Sequence, residues 1–340
     1  MNTPRIWFPT IRCGSGADVF TQRLADALNE LGSRAEITWL PHRAEYAPWS
    51  VPAPKAPAWA NVVHVNTWLH PRFIPPHLPV VATMHHVVHT PDFAPYRTRA
   101  QALYHTLWIK AIEAAVLRRV NAVTAVSHYT AAQVRAVFGR DDVTVIPNGV
   151  DTAVFRPGRG RPPHHPFRLL FVGNWSRRKG TDLLTPIMQA LGPDFELCMT
   201  SGLRDLRDKT PLPTNIRFLG RIPTTEALVR VYQDADALLF PSRLEGFGLV
   251  ILEAMACGLV VVATRASAIP ELVRDNVTGF LCPLDDSAAF VHAITQISKD
   301  LHRTKTIRNA AYADVKTRFT QYAMTQHYIQ IYNSILSRHS

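Results

Sequence analysis

Short apolar runs rich in β-branched residues alternate with helix-spaced apolar patterns along nearly the whole chain. In the first half the runs predict strands over Arg5–Phe8, Glu36–Leu40, Val62–Asn66, Val80–Met84, Ala122–Val126 and Val143–Ile146. Apolar residues three and four apart predict helices over Asp18–Leu31, Arg99–Arg119 and Tyr129–Phe138, the last with Ser127 or Thr130 as N-cap. The stretch Pro157-Gly-Arg-Gly-Arg-Pro-Pro-His-His-Pro166 has no periodicity and reads as an interdomain linker. Alternation then resumes, with strands predicted at Leu169–Val172, Glu196–Met199, Ile216–Leu219, Ala237–Phe240, Leu259–Ala263 and Thr278–Leu281. Strand–helix alternation implies parallel sheets covered by helices on both faces, with ligands beyond the carboxyl ends of the strands. The fold class is therefore α/β: two Rossmann-like α/β/α domains facing each other across a deep cleft. The expected division is 1–156, a linker 157–166, then 167–318. In 319–340, apolar Phe319, Tyr322, Tyr328, Tyr332 and Ile335 share one helix face, which must dock, and a return to the first domain is expected.

Composition narrows the partners. The chain has 340 residues, 47% hydrophobic and 19% charged, which excludes disorder, collagen and coiled coil and suits two cores. Its net charge of +11 is spread evenly: residues 1–150 carry 14 basic and 9 acidic side chains, the remainder 23 and 17. Such a field favours a nucleotide or an anionic surface, and no Lys/Arg block of nucleic-acid type occurs. The four cysteines, Cys13, Cys198, Cys257 and Cys282, stand singly, so no disulfide framework or zinc cluster is expected. No signal-peptide-like start or membrane-length apolar run is seen, so a cytoplasmic protein is expected. Residues 97–119 pair Arg97, Arg99, Lys110, Arg118 and Arg119 with Leu103, Leu107, Trp108 and Ile112. That pattern fits a packed surface helix or, alternatively, a helix lying on the anionic inner face of the cytoplasmic membrane.

The stretch that carries chemistry is Phe240-Pro-Ser-Arg-Leu-Glu-Gly-Phe-Gly-Leu-Val-Ile-Leu-Glu-Ala-Met-Ala-Cys-Gly258. A strand ends at Phe240, a glycine-bearing turn follows, and a helix begins near Gly248. Helix N-terminal amides bind anions, and Gly246 and Gly248 let the backbone approach a ligand. Glu245 and Glu253 flank that anion site. Carboxylates repel phosphate but accept strongly from hydroxyls, so the segment suits hydroxyls, then anion, then hydroxyls. A nucleotide sugar has that order. The plainer alternative makes Glu253 a solvated helix residue and Glu245 a loop carboxylate. Leu170-Phe-Val-Gly-Asn-Trp-Ser-Arg-Arg-Lys-Gly180 supplies Arg177, Arg178 and Lys179 at a strand end, where a leaving diphosphate needs cations.

In the first half, Gly14 and Gly16 precede a helix and could cradle phosphate or leave room for an acceptor. His85, His86 and His89 follow a strand, with spacings that do not converge on a tetrahedral ion. Asp234 and Asp236 read as a structural pair at a helix-to-strand junction, and Asn276-Val-Thr278 as a turn.

Together these residues resemble the family 4 glycosyltransferases, retaining enzymes with the GT-B fold. Glu245 through Glu253 is similar to the family's Glu-x7-Glu element. Val145-Ile-Pro-Asn-Gly-Val-Asp151, Phe218-Leu-Gly220, Ala268-Ile-Pro-Glu271 and Thr278-Gly-Phe280 match it in order and spacing. The resemblance implies transfer of a hexose from a nucleotide-diphosphate sugar, UDP- or GDP-linked, to a glycan, lipid-linked or small-molecule acceptor, without metal or cofactor. It places Glu245 on donor-sugar hydroxyls, Glu253 on the ribose and the amides of Phe247, Gly248, Leu249 and Val250 at sugar and phosphates. Arg178 and Lys179 would stabilise the departing diphosphate, and His85 would line the reacting sugar. Asn174 stands where many members carry arginine, with Arg177 or Arg178 to compensate, and Ser267-Ala268 replaces a Gly-Gly pair.

Three rivals remain. A dinucleotide oxidoreductase or epimerase would use Gly14-Ser-Gly16 and Glu36, but Val19 replaces the third fingerprint glycine. A non-catalytic sugar-nucleotide-binding module and a GT-B phosphorylase are the others.

Overall fold

The computed structural model describes residues 3–201 and 212–339. The chain divides into two compact units, 1–149 with 321–340 and 150–320. The expected boundary at 156 therefore moves to 149. Residues 150–156 belong to the second unit because Val150 bridges to Thr320 and Phe155 packs edge-on against Tyr232. The stretch read as a linker is also fastened there. Arg161 and His164 both bond to Asp236, whose carboxylate also accepts from the Arg168 amide. Asp236 and its neighbour Asp234, which pairs with Arg168, are thus structural anchors.

The first unit holds a six-stranded parallel sheet in the order β2-β1-β3-β4-β5-β6. These are β1 Arg5–Ile11, β2 Arg34–Leu40, β3 Val62–Asn66, β4 Val80–Met84, β5 Ala122–Ala125 and β6 Val143–Val145. Its helices are α1 Gly16–Glu30, α2 Arg99–Tyr104, α3 Lys110–Arg119, α4 His128–Phe138 and, from the chain end, α11 Gln321–Ser337. The expected single helix over 99–119 is one run whose middle, His105–Ile109, widens into a π-helical turn. Ser127 caps α4, accepting from the Thr130 amide.

Successive strand residues point to opposite faces. Ile6, Phe8, Val62 and Val81 face α1 and α11, packing with Phe20, Leu24, Tyr328 and Tyr332. Trp7, Val63, Val80 and Ala82 face the other way, against Ile112, Val116 and Val134. Each such large apolar side chain contributes about 1.5–3 kcal/mol when fully buried. Polar pairs fix how α11 seats. His64 lies 2.6 Å from the Tyr332 hydroxyl and 2.7 Å from Thr83 Oγ1, which in turn meets the Tyr328 hydroxyl at 3.1 Å.

The second unit holds the other six-stranded parallel sheet, in the order β12-β11-β10-β7-β8-β9. Its strands are β7 Phe167–Phe171, β8 Phe195–Ser201, β9 Ile216–Arg221, β10 Ala237–Phe240, β11 Val260–Thr264 and β12 Phe280–Cys282. Thr278 lies in the turn before β12, so that strand starts later than its apolar pattern suggests. The helices are α5 Thr181–Leu191, α6 Thr225–Gln233, α7 Leu249–Ala256, α8 Ile269–Leu272, α9 Ser287–Lys299 and α10 Leu301–Arg318. Leu169, Phe171, Leu239 and Val262 pack one face against Leu184, Ile187, Phe290 and Ile294.

Candidate functional site

In the second sheet β7 and β10 are neighbours, although α5, β8, β9 and α6 separate them in sequence. The order in which strands are added reverses between them. At such a switch point the two loops leave the strand ends in opposite directions and open a crevice. Here those loops are 172–180 and 241–248, the two segments that the sequence singles out.

Their fit depends on glycine. Gly180 adopts φ +69°, and a Cβ there would stand 2.0 Å from the carbonyl oxygen of Pro241. The Arg243 amide donates to the Arg178 carbonyl at 2.9 Å, tying the loops backbone to backbone. Arg243 then clamps them with its side chain, which is almost fully buried. It donates to both oxygens of Asp182, at 2.6 and 2.8 Å, and also to Asp285 and the Arg177 carbonyl.

This scaffold brings Glu245, Lys179 and Arg178 together. Lys179 Nζ lies 2.6 Å from Glu245 Oε1, which also accepts from the Ser242 hydroxyl at 2.5 Å. Arg178 Nη1 donates to the Leu244 carbonyl at 2.6 Å and stands 3.9 Å from Glu245 Oε2. Burial by itself would push the Glu245 carboxyl up, but Lys179 and Arg178 outweigh it and hold the group below the usual carboxylate range. Burial also lowers Lys179, against the pull of Glu245. Lys179 further lies 5.5 Å from the Phe240 ring centre, a cation–π contact.

The helix that follows, α7, begins at Gly248 with φ +112°, where no side chain caps it. Leu249 and Val250 are half-exposed at this end, whereas Phe247 is buried beside Phe319. An eight-residue helix with an uncapped N-terminus presents partial positive charge to whatever lies before it. Glu253, read alternatively as a solvated helix residue, is instead 4% exposed and accepts from the Tyr232 hydroxyl at 2.8 Å. Ser267, at φ +52°, takes a left-handed conformation suited to the glycine it replaces, and its hydroxyl accepts from the Glu245 amide. Asn174 and Arg177 are exposed, and Gly246 is buried.

The remaining predicted residues sit in the first unit. His85, just past β4, is half-buried, with Nε2 2.9 Å from Asn66 Oδ1 and its ring edge-on to Phe20. Burial lowers its pKa to about 4, so the ring is neutral near pH 7. His86 packs against Phe93, whereas His89 pairs with buried Glu113 at 2.7 Å. Gly14 does not offer an open cradle. Its amide and that of Cys13 donate to Asp18 Oδ2 at 2.6 and 2.9 Å, and a carboxylate there repels phosphate. Of the two readings of this loop, room for an acceptor is the one compatible with that charge. Gly16 is the first residue of α1.

Two family models match the chain in succession: "Glycosyltransferase Family 4" over residues 17–154 and "Glycosyl transferases group 1" over 157–314. The chain belongs to glycosyltransferase family 4. Its relatives include glycogen synthase of Mycobacterium tuberculosis, 28% identical over 71% of this chain and 60% of that protein. The lipopolysaccharide core biosynthesis mannosyltransferase LpsB of Rhizobium meliloti is 35% identical over 61% of this chain and 62% of its own length. The chain thus spans about two fifths to three fifths of the length of the curated relatives it matches. Among solved structures, sucrose-phosphate synthase from Thermosynechococcus elongatus superposes with a TM-score of 0.79 at 21% identity, over 98% of this chain and all of that one. Anabaena HepE in complex with UDP and glucose gives 0.75 at 18%, over 97% and 100%. The fold is GT-B.

Proposed function

We propose that this protein is a retaining hexosyltransferase that takes its sugar from a nucleotide-diphosphate donor. The observation that carries the reading is the meeting, at the β7/β10 switch point, of an uncapped helix N-terminus with the Lys179–Glu245 pair. Anion, cation and hydroxyl acceptor stand in the order that a sugar diphosphate requires. In the proposed mechanism, the α7 amides and Arg178 hold the diphosphate. Lys179, with three N–H donors, bridges Glu245 to the leaving oxygen. Glu245 then accepts from sugar hydroxyls and Glu253 from the ribose. The sequence around the site offers only Glu245 as a well-placed carboxylate near the sugar, which favours front-face substitution with the diphosphate aiding deprotonation of the acceptor. The protein's own work is placing the reactants and stabilising charge, tasks its side chains perform without a metal ion.

The relatives' names, a glycogen synthase and a lipopolysaccharide mannosyltransferase, support a glycan or lipid-linked acceptor in polysaccharide or glycoconjugate synthesis. Neighbours crystallised with UDP and UDP-glucose support a UDP-linked donor, with GDP as the alternative. Among the described residues no helix is long and apolar enough to cross a membrane. A peripheral contact with an anionic membrane is part of the proposal, supported by exposed Tyr46, Trp49, Leu103 and Leu107 beside exposed Arg43, Arg99 and Lys110.

A thermal-shift panel of UDP, GDP and ADP sugars tests the donor, since a ligand at a hundredfold over its Kd stabilises by about 2.7 kcal/mol. One base should raise the melting temperature, and Glu253→Ala should weaken that nucleotide by about 1.5–3 kcal/mol. A panel without any shift sinks the proposal. A shift without slow donor hydrolysis or transfer would favour the non-catalytic binding module.

A further inference from the structure

The first unit assembles a second chemical cluster, which takes no part in donor binding as proposed above. Cys13 follows β1, while His42 and Glu45 lie in the short 3-10 turn after β2. Because β1 and β2 pair in register to their last residues, Ile11 against Leu40, the two loops leave the sheet side by side. Glu45 Oε2 lies 3.7 Å from Cys13 Sγ and 3.7 Å from His42 Nε2, and the three atoms all fall within 4.8 Å of one another.

The His42 contact is long for a hydrogen bond, and the Cys13 contact is a weak thiol–carboxylate one. They are close to a tetrahedron's edges. With Zn–S near 2.3 Å and Zn–N or Zn–O near 2.0–2.1 Å, ligand atoms on one ion stand about 3.4–3.6 Å apart. The outer groups are also set. Tyr104 donates its hydroxyl to Glu45 Oε1 at 3.1 Å, leaving Oε2 to face sulfur and imidazole, and Trp108 Nε1 donates to the Glu45 carbonyl at 2.8 Å. Such second partners orient a metal-binding carboxylate.

We propose that Cys13 Sγ, His42 Nε2 and Glu45 Oε2 form a binding site for a borderline-soft divalent ion of the zinc class. Thiolate, imidazole and carboxylate together select zinc-like ions over magnesium or calcium, which take oxygen sets. Three protein ligands leave a fourth position for water. Binding exchanges the thiol proton, released to solvent, for the metal–sulfur bond. The ion ties the loop before α1, which carries Gly14, to the turn after β2. Sequence spacing does not show this group because its members come from two separate loops.

The test uses the full chain stripped with a chelator and titrated with Co2+, then with Zn2+. One equivalent of Co2+ should give an intense thiolate-to-metal charge-transfer band that Zn2+ abolishes. Cys13→Ser should lose the band, and His42→Ala, Glu45→Gln and Tyr104→Phe should each weaken affinity by about tenfold or more. Unfolding of each variant in chelator reports whether it folds. Should Cys13→Ser not fold, His42→Ala, at an exposed side chain, carries the test. Absence of binding, binding without the sulfur band, or a band that survives Cys13→Ser or is unweakened in His42→Ala overturns the proposal.

Discussion

At the carboxyl edge of the second unit's sheet, Arg178, Lys179, Arg243 and Glu245 crowd together as fixed charges, each held by a named partner. At the same edge of the first unit's sheet no such cluster of cations forms: Thr10, Asn66 and His85 make a neutral group, and the carboxylates near it, Asp18 and Glu113, are taken up by backbone amides and by Thr67 and Trp68. Asn66 donates to Thr10 Oγ1 at 3.0 Å and pairs with His85, whose ring burial keeps uncharged. Both sheets share the doubly wound plan, so topology does not explain the difference. On the function proposed above, the demands of the ligand do. A diphosphate needs cations organised before it arrives, and cations can be kept in a half-dry crevice only against a carboxylate. A hydroxyl-bearing acceptor asks only for neutral donors and acceptors. On the function proposed above, the cation cluster would serve the donor and the neutral Thr10–Asn66–His85 group the acceptor.

Removing the cation at the charged end should have the largest effect. Lys179→Ala deletes the proposed partner of the leaving oxygen, a loss worth about 3–4 kcal/mol of barrier, so turnover at saturating donor should fall by hundreds-fold or more. Circular dichroism of the variant separates this from unfolding, because the change also leaves Glu245 buried without its ammonium. Turnover like that of the unaltered chain would remove the assignment, and with it the contrast.

The neutral end can be challenged with acid. His64, fully buried beneath His85, has its pKa lowered by burial to about 3 from an ordinary 6.5. The unfolded chain therefore takes up a proton on this residue below pH 6.5 that the folded chain refuses. This stabilisation is complete above pH 6.5 and lost as pH falls toward 3, by about 1.4 kcal/mol per pH unit. Between pH 6.5 and 4 the loss is about 3 kcal/mol. Urea unfolding of the unaltered chain and of His64→Gln should converge with acidification by that amount. Parallel profiles would show that His64 is not neutral in the fold.

Much of this was legible from residue order. Runs such as Val80–Met84 and Ala237–Phe240 mark buried strands because they are short, continuously apolar and bounded by breaks in the pattern. Gly-Phe-Gly between two glutamates marks the helix start because only backbone that approaches a ligand, or turns left-handed, needs glycine there. What joins distant segments was not legible. Arg243 finds Asp182 and Asp285 at separations of 61 and 42 residues, Glu253 finds Tyr232 at 21, and Glu45 meets Cys13 at 32. No periodicity encodes such meetings. They follow from strand order, and an arginine in Pro-Ser-Arg-Leu-Glu looks no different from a solvated one until the loops are folded against each other.

The smallest effect belongs to the outer surface of the first unit. Trp49 and Leu107 are 69% and 67% exposed, and Trp49 meets Trp108 edge-on at 6.2 Å, so the apolar patch is continuous with the turn that holds Glu45. The second unit's exposed apolar residues, among them Val277, Leu284 and Leu301, are instead scattered along its elements. Exposed aromatic and leucine side chains with exposed Arg43, Arg99 and Lys110 close in sequence would suit the headgroup boundary of an anionic bilayer. Co-sedimentation with vesicles containing phosphatidylserine should be strong at low salt and weaken at high salt. Each basic residue near such a surface contributes about 1 kcal/mol, so Lys110→Ala should lower partitioning about fivefold. Vesicles that fail to bind the protein at either salt concentration would leave the donor-side argument intact and remove the membrane from it.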